Sequence, residues 1–337
     1  MKKKILFIGG SINQTSMMHK ISNYLSSSYD CYFTPFYTDG LLNLIRKAGL
    51  LDFTILGGKF RKDTEEYLWA NNLKIDYGGN LHNYDLVFTG SDLIIPKNIR
   101  DKKMILVQEG MTDPENFMYY LVRYLKLPRY LASTSTNGLS DAYSYFCVAS
   151  EGYKNFFIKK GIKESKLVVT GIPNFDNAEQ FNNNDFRLKN YVLVATSDSR
   201  ETFKYENRKA FIKEAIEIAN GRQLIFKLHP NEKVERATKE INELAPDAIV
   251  YSNYNINHLI ANCSTLVTKY SSVVYIGLAL KKEVYSYFNL NTLKKLTPVQ
   301  NSGRSAEKIA RLGENLLTNE MGKSNIFSEL KNQKCFS

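Results

Sequence analysis

The 337-residue chain holds one tryptophan, four histidines and four cysteines, and each scarcity narrows what it can be. Cys31, Cys147, Cys263 and Cys335 form no CxxC pair, so no zinc site or disulfide framework is written in them. Cys147 and Cys263 sit in or beside apolar runs, as reduced packing cysteines of a cytoplasmic protein do. Long hydrophobic runs are also missing: the longest clean stretch, "VVYIGLAL", is far short of the roughly 20 apolar residues of a membrane span. The opening "MKKKILFIGG" has the lysines of a signal peptide, but its apolar run is only Ile5 to Ile8, where a signal needs about 7–15 residues. It reads as a first buried strand. No DxD triplet, GxSxG elbow or GxxxxGK[ST] loop occurs, which sets aside the usual metal-dependent nucleotide-sugar site and the common hydrolase and NTPase readings. Neither a metal site nor a resident cofactor is expected.

What is present is an ordinary globular composition, 43% hydrophobic and 23% charged, with a net charge of +11. The length exceeds the roughly 250–300 residues at which single cores stop growing, so two domains are expected. The basic residues are scattered, with no stripe and no nucleic-acid motif, so the partner implied is an anionic ligand or the acidic inner face of a membrane.

Short apolar strands alternate with amphipathic runs along the chain. "KILFIG", "CYFTPF", "DFTIL", "DLVFTG", "KMILVQ", "YFCVAS" and "KLVVTG" read as strands of the first half. "YVLVATS", "QLIFKL", "AIVYS", "STLVTK" and "EVYSYF" read as strands of the second. Strands that are apolar throughout and separated by helices such as "NRKAFIKEAIEIAN" predict parallel sheets covered on both faces. The Asn-rich stretch at 172–190 reads as the linker. The expected layout is a Rossmann-like acceptor domain at 1–175, a Rossmann-like donor domain at 188–320 and a tail at 321–337.

In parallel α/β sheets ligands bind beyond the carboxyl ends of strands, so the residues just after each strand carry the functional information. "GGSINQ" after the first strand fails the GxGxxG fingerprint, which removes NAD; it is a tight turn or a backbone anion seat ahead of a helix. Ser271 and Ser272 follow "TLVTKY" where strand gives way to helix, and either cap that helix or hold a phosphate there. His229 closes a buried strand, with Pro230 rigidifying its exit, and could meet a phosphate or charge on a departing nucleotide. Glu109 ends a strand of the other half, either as a turn residue or as a base for a substrate hydroxyl.

Together, "QEG", "HP" and the serine pair resemble the D/E-D/E-G, HP and S/SS motifs of bacterial sialyltransferases and related CMP-sugar transferases of the GT-B fold. Gln108 departs from the acid of the first position. "VTKYSSVVYIGLALKKEVYSYF" is similar to a segment of CDP-glycerol glycerophosphotransferases, with Lys269 in place of that family's aspartate and Glu283 where its proline would be. "VVTGIPNFD" is similar to the hinge of UDP-GlcNAc 2-epimerases. The resemblance implies a GT-B glycosyltransferase with two Rossmann-like domains facing a cleft. Its donor would be a CMP-activated acidic sugar such as sialic acid, Kdo or another nonulosonic acid. Glu109 would be the base, and His229, Ser271 and Ser272 would bind the donor phosphate beside Pro230. Read from the strand ends alone, Ser197 and Arg200 touch the donor or simply face solvent, Tyr251 and Asn253 are candidates for the base or ribose, and Asn13, Gln14 and Gln108 for the acceptor. A CDP-glycerol or CDP-ribitol transferase and an epimerase are the alternatives. A glycan or lipid-linked acceptor suits "FMYYLVRYLKLPRYL", whose aromatic and basic residues fit peripheral contact with the inner membrane face as well as an ordinary charged helix.

Overall fold

The computed structural model describes residues 2–201 and 205–318, so the expected tail at 321–337 and Cys335 lie outside the described residues. The first half runs β1 (Lys4–Gly9), α1 (Ile12–Asn23), β2 (Asp30–Pro35), α2 (Gly40–Lys47), α3 (Gly58–Ala70) and β3 (Leu86–Thr89). It continues with β4 (Lys103–Val107), α4 (Phe117–Leu125), a 3₁₀ segment (Arg129–Thr136), β5 (Tyr145–Val148), α5 (Glu151–Lys159) and β6 (Leu167–Val169). The second half runs β7 (Val192–Ala195), α6 (Arg208–Ala219), β8 (Leu224–Lys227), α7 (Val234–Leu244), β9 (Ile249–Tyr251) and α8 (Ile256–Asn262). It ends with β10 (Thr265–Thr268), α9 (Val274–Ala279), β11 (Glu283–Tyr285), α10 (Leu290–Leu296) and α11 (Ser305–Thr318).

Every strand pairing is parallel, in one sheet of order β2-β1-β3-β4-β5-β6 and a second of order β11-β10-β7-β8-β9. Ile5, Leu6 and Phe7 on β1 and Leu193 and Val194 on β7 are fully buried, which is why these strands read as unbroken apolar runs. One apolar cluster extends from the first sheet to the inner face of the second, through Leu193, Leu266 and Tyr275. A separate cluster under α6 and α7 covers the second sheet's outer face. Across the junction the buried hydroxyls of Tyr153 on α5 and Tyr275 on α9 share a 2.7 Å hydrogen bond. Cys31, Cys147 and Cys263 are free and buried, and burial pushes the Cys147 and Cys263 thiols up to about 12.

Three expectations need correction. "DFTIL" is a chain of turns, because the Asp52 carboxylate accepts the Gly58 N–H at 3.2 Å and Gly58 takes φ +52°. A Cβ on Gly58 would stand 2.1 Å from the Asp52 carbonyl oxygen, so the segment wraps on itself and cannot extend. The stretch at 172–190 is no loose linker: Ile172, Phe175, Ala178 and Phe186 are buried, and Asp176 accepts the Ser305 N–H at 2.6 Å.

The third concerns the donor domain, expected to continue to residue 320. The chain instead leaves the second lobe after β11. A Cβ on Gly152 of α5 would lie 2.0 Å from the Lys295 carbonyl oxygen of α10. Ser150 donates to the Lys295 and Leu296 carbonyls at 3.4 and 3.2 Å. Helix α11 then lies on the first lobe, where a Cβ on Gly313 would come within 2.7 Å of the Phe88 ring and 3.0 Å of Leu86. Gly313→Leu is therefore expected to cost about 3 kcal/mol, the upper end of ordinary overpacking, read as a lower midpoint in denaturant unfolding.

Candidate active site

In a doubly wound sheet the crevice opens where strand order reverses, because the loops on either side of that point diverge. In the second sheet the reversal lies between β7 and β10. The loops after those strands, with the one after β8, bring Thr196, Ser197, His229, Ser271 and Ser272 to one cavity of about 630 Å³. The first lobe closes it with Met111 to Pro114 and Leu131 to Ser133, so the cavity lies between the lobes.

His229 is fixed from behind. Its backbone N–H donates to Thr196 Oγ1 at 3.1 Å and to Glu232 Oε2 at 2.9 Å. Its ring Nδ1 accepts the Asn231 N–H at 3.2 Å, which in the neutral ring leaves the proton on Nε2. Asp198 Oδ2 stands 3.6 Å from Nδ1, where it would pair with the ring once protonated. Glu232, the last residue of "HPNE", also receives the Thr196 hydroxyl and the Arg208 guanidinium. Arg208 reaches Glu206 at 3.1 Å, and Lys269 reaches the same carboxylate at 3.5 Å. Two cations and two anions, all nearly dry, thus form one balanced network under the cavity floor. Burial holds the Lys269 amine below its ordinary range, although Glu206 opposes that shift.

The two serines do not cap α9 through their side chains. Val273 is its N-cap, and Ser271 and Ser272 bond the helix only through their carbonyls, to Val274 and Tyr275 at 3.2 and 3.1 Å. Their hydroxyls stand in the cavity wall; that of Ser271 takes only a long 3.5 Å contact from Val273 N–H.

Glu109 occupies an adjoining recess of about 240 Å³ that shares Met111, Thr112 and Ser272 with the cavity. The glycine turn after β1 is no backbone anion seat: the Gly10 N–H is spent on Gln14 Oε1, and the side chains that follow the turn hold the Glu109 carboxylate. Ser11 Oγ and Asn13 Nδ2 donate to Oε1 at 2.9 and 3.2 Å, and Gln14 Nε2 donates to Oε2 at 2.6 Å. A carboxylate offers about four acceptor sites, so one on Oε2 stays open. Ser11 is also the N-cap of α1, accepting the Gln14 N–H at 3.1 Å. Gly9 is needed here, since a Cβ would lie 2.4 Å from Thr15 Oγ1.

The remaining expected contacts divide. Ser197 lines the cavity, its hydroxyl 3.0 Å from Ser199 Oγ and 3.2 Å from Glu206. Asn13 lines the recess, its Oδ1 accepting from Asn174 at 2.8 Å. Gln14 and Gln108, expected to face an acceptor, are buried and hydrogen-bonded internally, although Gln108 also lines the recess. Gln14 Oε1 accepts the Gly10 N–H at 2.9 Å, and Gln108 joins the Ala149 N–H to the Gly110 carbonyl at 2.9 and 2.8 Å. Pro230, Arg200, Tyr251 and Asn253 are outside the cavity lining. Arg200 pairs with Glu240 of α7 at 2.8 Å, and Tyr251 packs on Phe186 and Tyr254. Sequence reasoning missed Glu232, Arg208 and Glu206, of which only Glu232 had a signal, its place three residues beyond His229. It also missed Ser133, whose φ of 53° puts a strained non-glycine residue in the cavity wall.

Comparison with known proteins adds to this geometry. Neisseria meningitidis UDP-GlcNAc 2-epimerase bound to UDP-GlcNAc superposes with a TM-score of 0.60 at 12% identity, over 93% of this chain and 100% of that one. The fold is GT-B. A second GT-B neighbour, the S. aureus MnaA-UDP co-structure, gives a TM-score of 0.57 at 11% identity, over 96% and 99% of the two chains. A variant of the wall teichoic acid polymerase TagF soaked with CDPG gives 0.53 at 14% identity, over 95% and 90%. The family described as CDP-Glycerol:Poly(glycerophosphate) glycerophosphotransferase matches residues 122–289. No curated protein matches by sequence. These findings agree with two of the three motif resemblances, the CDP-glycerol transferases and the epimerases, and lend none to the sialyltransferase one. Among the described residues, no helix is long and apolar enough to cross a membrane.

Proposed function

We propose that this GT-B chain transfers a polyol phosphate, of the glycerophosphate class, from a CDP-linked donor to an acceptor hydroxyl. The observation that carries the reading is the span of the glycerophosphotransferase match: residues 122–289 include His229, Ser271, Ser272 and the Thr196–Ser199 loop. The acidic-sugar donor favoured by the motifs gives way to the polyol-phosphate alternative.

The placement of these residues supports the following chemistry. The acceptor oxygen attacks the phosphorus that carries the polyol, a new P–O bond forms, and the bond to the CMP oxygen breaks. Glu109, through its open Oε2 site, takes the acceptor proton. The His229 Nε2–H and the Ser271 and Ser272 hydroxyls meet the charge gathering on the departing CMP. Ser197 holds the donor from the β7 side. A lipid-linked acceptor has a route along α4, where Phe117, Tyr124 and Leu125 are exposed beside Arg123 and Lys126, and Met118 carries that surface into the cavity wall. That mix of apolar and cationic side chains suits peripheral contact with an anionic membrane.

Glu109→Gln is expected to lower turnover by about 10²–10⁴-fold with CDP binding kept. An amide there turns an N–H group toward the donors of Asn13 and Gln14, so Glu109→Asp, which keeps the charge and shortens the reach, is the companion variant. Incubation with CDP-glycerol, a CMP-activated acidic sugar or UDP-GlcNAc, followed by phosphorus NMR, separates the readings. A new phosphodiester from CDP-glycerol supports this one, and sugar transfer from the CMP donor would replace it. Epimerised sugar released from UDP-GlcNAc without acceptor would favour the isomerase, whose fold gives the 0.60 superposition.

A further inference from the structure

The loop that carries Glu109 and the turn that carries the two serines belong to different lobes, yet they are tied together. Tyr153 on α5 and Tyr275 on α9 are each 1% exposed, their rings stand edge to face, and their hydroxyls lie 2.7 Å apart. The Tyr153 hydroxyl also reaches the Glu109 loop. Burial pushes it up to about 12, and hydrogen bonds from Tyr275, the Thr112 backbone N–H and the Gln108 side chain hold it back from a larger rise. On the other side, the Tyr275 N–H donates to the Ser272 carbonyl at 3.1 Å. The same two loops touch directly, since a Cβ on Gly110 would stand 3.5 Å from Ser272 Cβ. The start of α5 is itself anchored, Ser150 donating to the Lys295 and Leu296 carbonyls where the chain returns from the second lobe. Separating the lobes at this end would break the hydroxyl bond and wet two fully buried rings, so the ligand-free protein holds it closed.

We propose that Tyr153 and Tyr275 are positioning residues, whose hydroxyl bond sets the gap between the Glu109 loop and the Ser271–Ser272 turn before any ligand binds. Neither tyrosine lines the cavity or the recess. Each acts through a neighbour, Tyr153 through Thr112 and Gln108 and Tyr275 through Ser272. A site whose two halves are already spaced needs no rearrangement at the moment of reaction, and a small misplacement of a base costs turnover more than binding. The part this gap plays in transfer rests on the transferase reading, whereas the gap itself is a property of the ligand-free protein.

Tyr153→Phe, Tyr275→Phe and the double variant keep both rings and remove one or both hydroxyls. In the ligand-free protein, Tyr275→Phe is expected to speed amide hydrogen exchange across residues 108–112 about tenfold, the weight of one hydrogen bond, although Tyr275 belongs to the other lobe. Exchange in α6 and α7 should not change, which separates a loosened gap from a general loss of stability. In assays with CDP-glycerol, each single variant is expected to lower kcat about tenfold, with the donor KM within about twofold of wild type. The double variant decides between positioning and packing. Replacing both hydroxyls by apolar groups of the same shape should bring the unfolding midpoint back toward wild type while kcat stays low. Wild-type kcat in the double variant, or unchanged exchange at 108–112 in Tyr275→Phe, overturns the proposal. Absence of turnover from CDP-glycerol by the wild-type protein, with the exchange contrast intact, overturns the transferase reading and leaves the fixed gap standing.

Discussion

Replacing His229 by alanine is expected to slow transfer by about 10²–10³-fold, the usual loss when one donor to a developing negative charge is removed. The ring sits at the cavity wall, its Nδ1 occupied by the Asn231 N–H, so the proton faces outward on Nε2. A group that meets charge only as the nucleotide departs contributes little to ground-state binding, so the loss should fall on kcat and leave the KM for donor nearly unchanged. His229→Asn, which presents an N–H2 near the same place, should recover part of the rate. A loss confined to KM would demote the histidine to a binding contact.

The second large effect belongs to Glu232, which touches no substrate in this reading. Its carboxylate gathers the Thr196 hydroxyl, the His229 N–H and the Arg208 guanidinium in a nearly dry site. Glu232→Ala would leave the buried guanidinium with Glu206, 3.1 Å away, and the Ser197 carbonyl, 3.3 Å away, among the described residues. Removing one partner of a buried pair costs about 3–5 kcal/mol, and the surviving Glu206 contact places this case near 3. The loss should show as a lower unfolding midpoint, and Glu232→Gln should recover part of it by keeping the contact to the His229 N–H. If Glu232→Ala unfolds at the wild-type midpoint, the network does not anchor the loop.

Much of the fold could be read from the residues because parallel strands buried on both faces leave an unbroken apolar signature, as in "KILFIG" and "QLIFKL". "DFTIL" carries the same signature and failed, since what decides it is a carboxylate and two glycines a few residues away. His229, Ser197 and the serine pair, singled out as residues at the carboxyl ends of strands, do line one cavity. Glu109 was found for the right loop, yet its three hydrogen-bond donors come from a turn nearly a hundred positions earlier. Gln14 and Gln108 show that a polar residue at a strand end can also hold the turn together, Gln108 doing so while lining the recess. Ser133 carried no local signal, because its place in the cavity wall becomes visible only when distant segments close around it.

The return of α10 and α11 means that the two lobes are stitched by a pair of chain crossings, one near residue 190 and one after Tyr285. A body tied at two points is held by both, so cutting the polypeptide at the first crossing would not yield two independent halves.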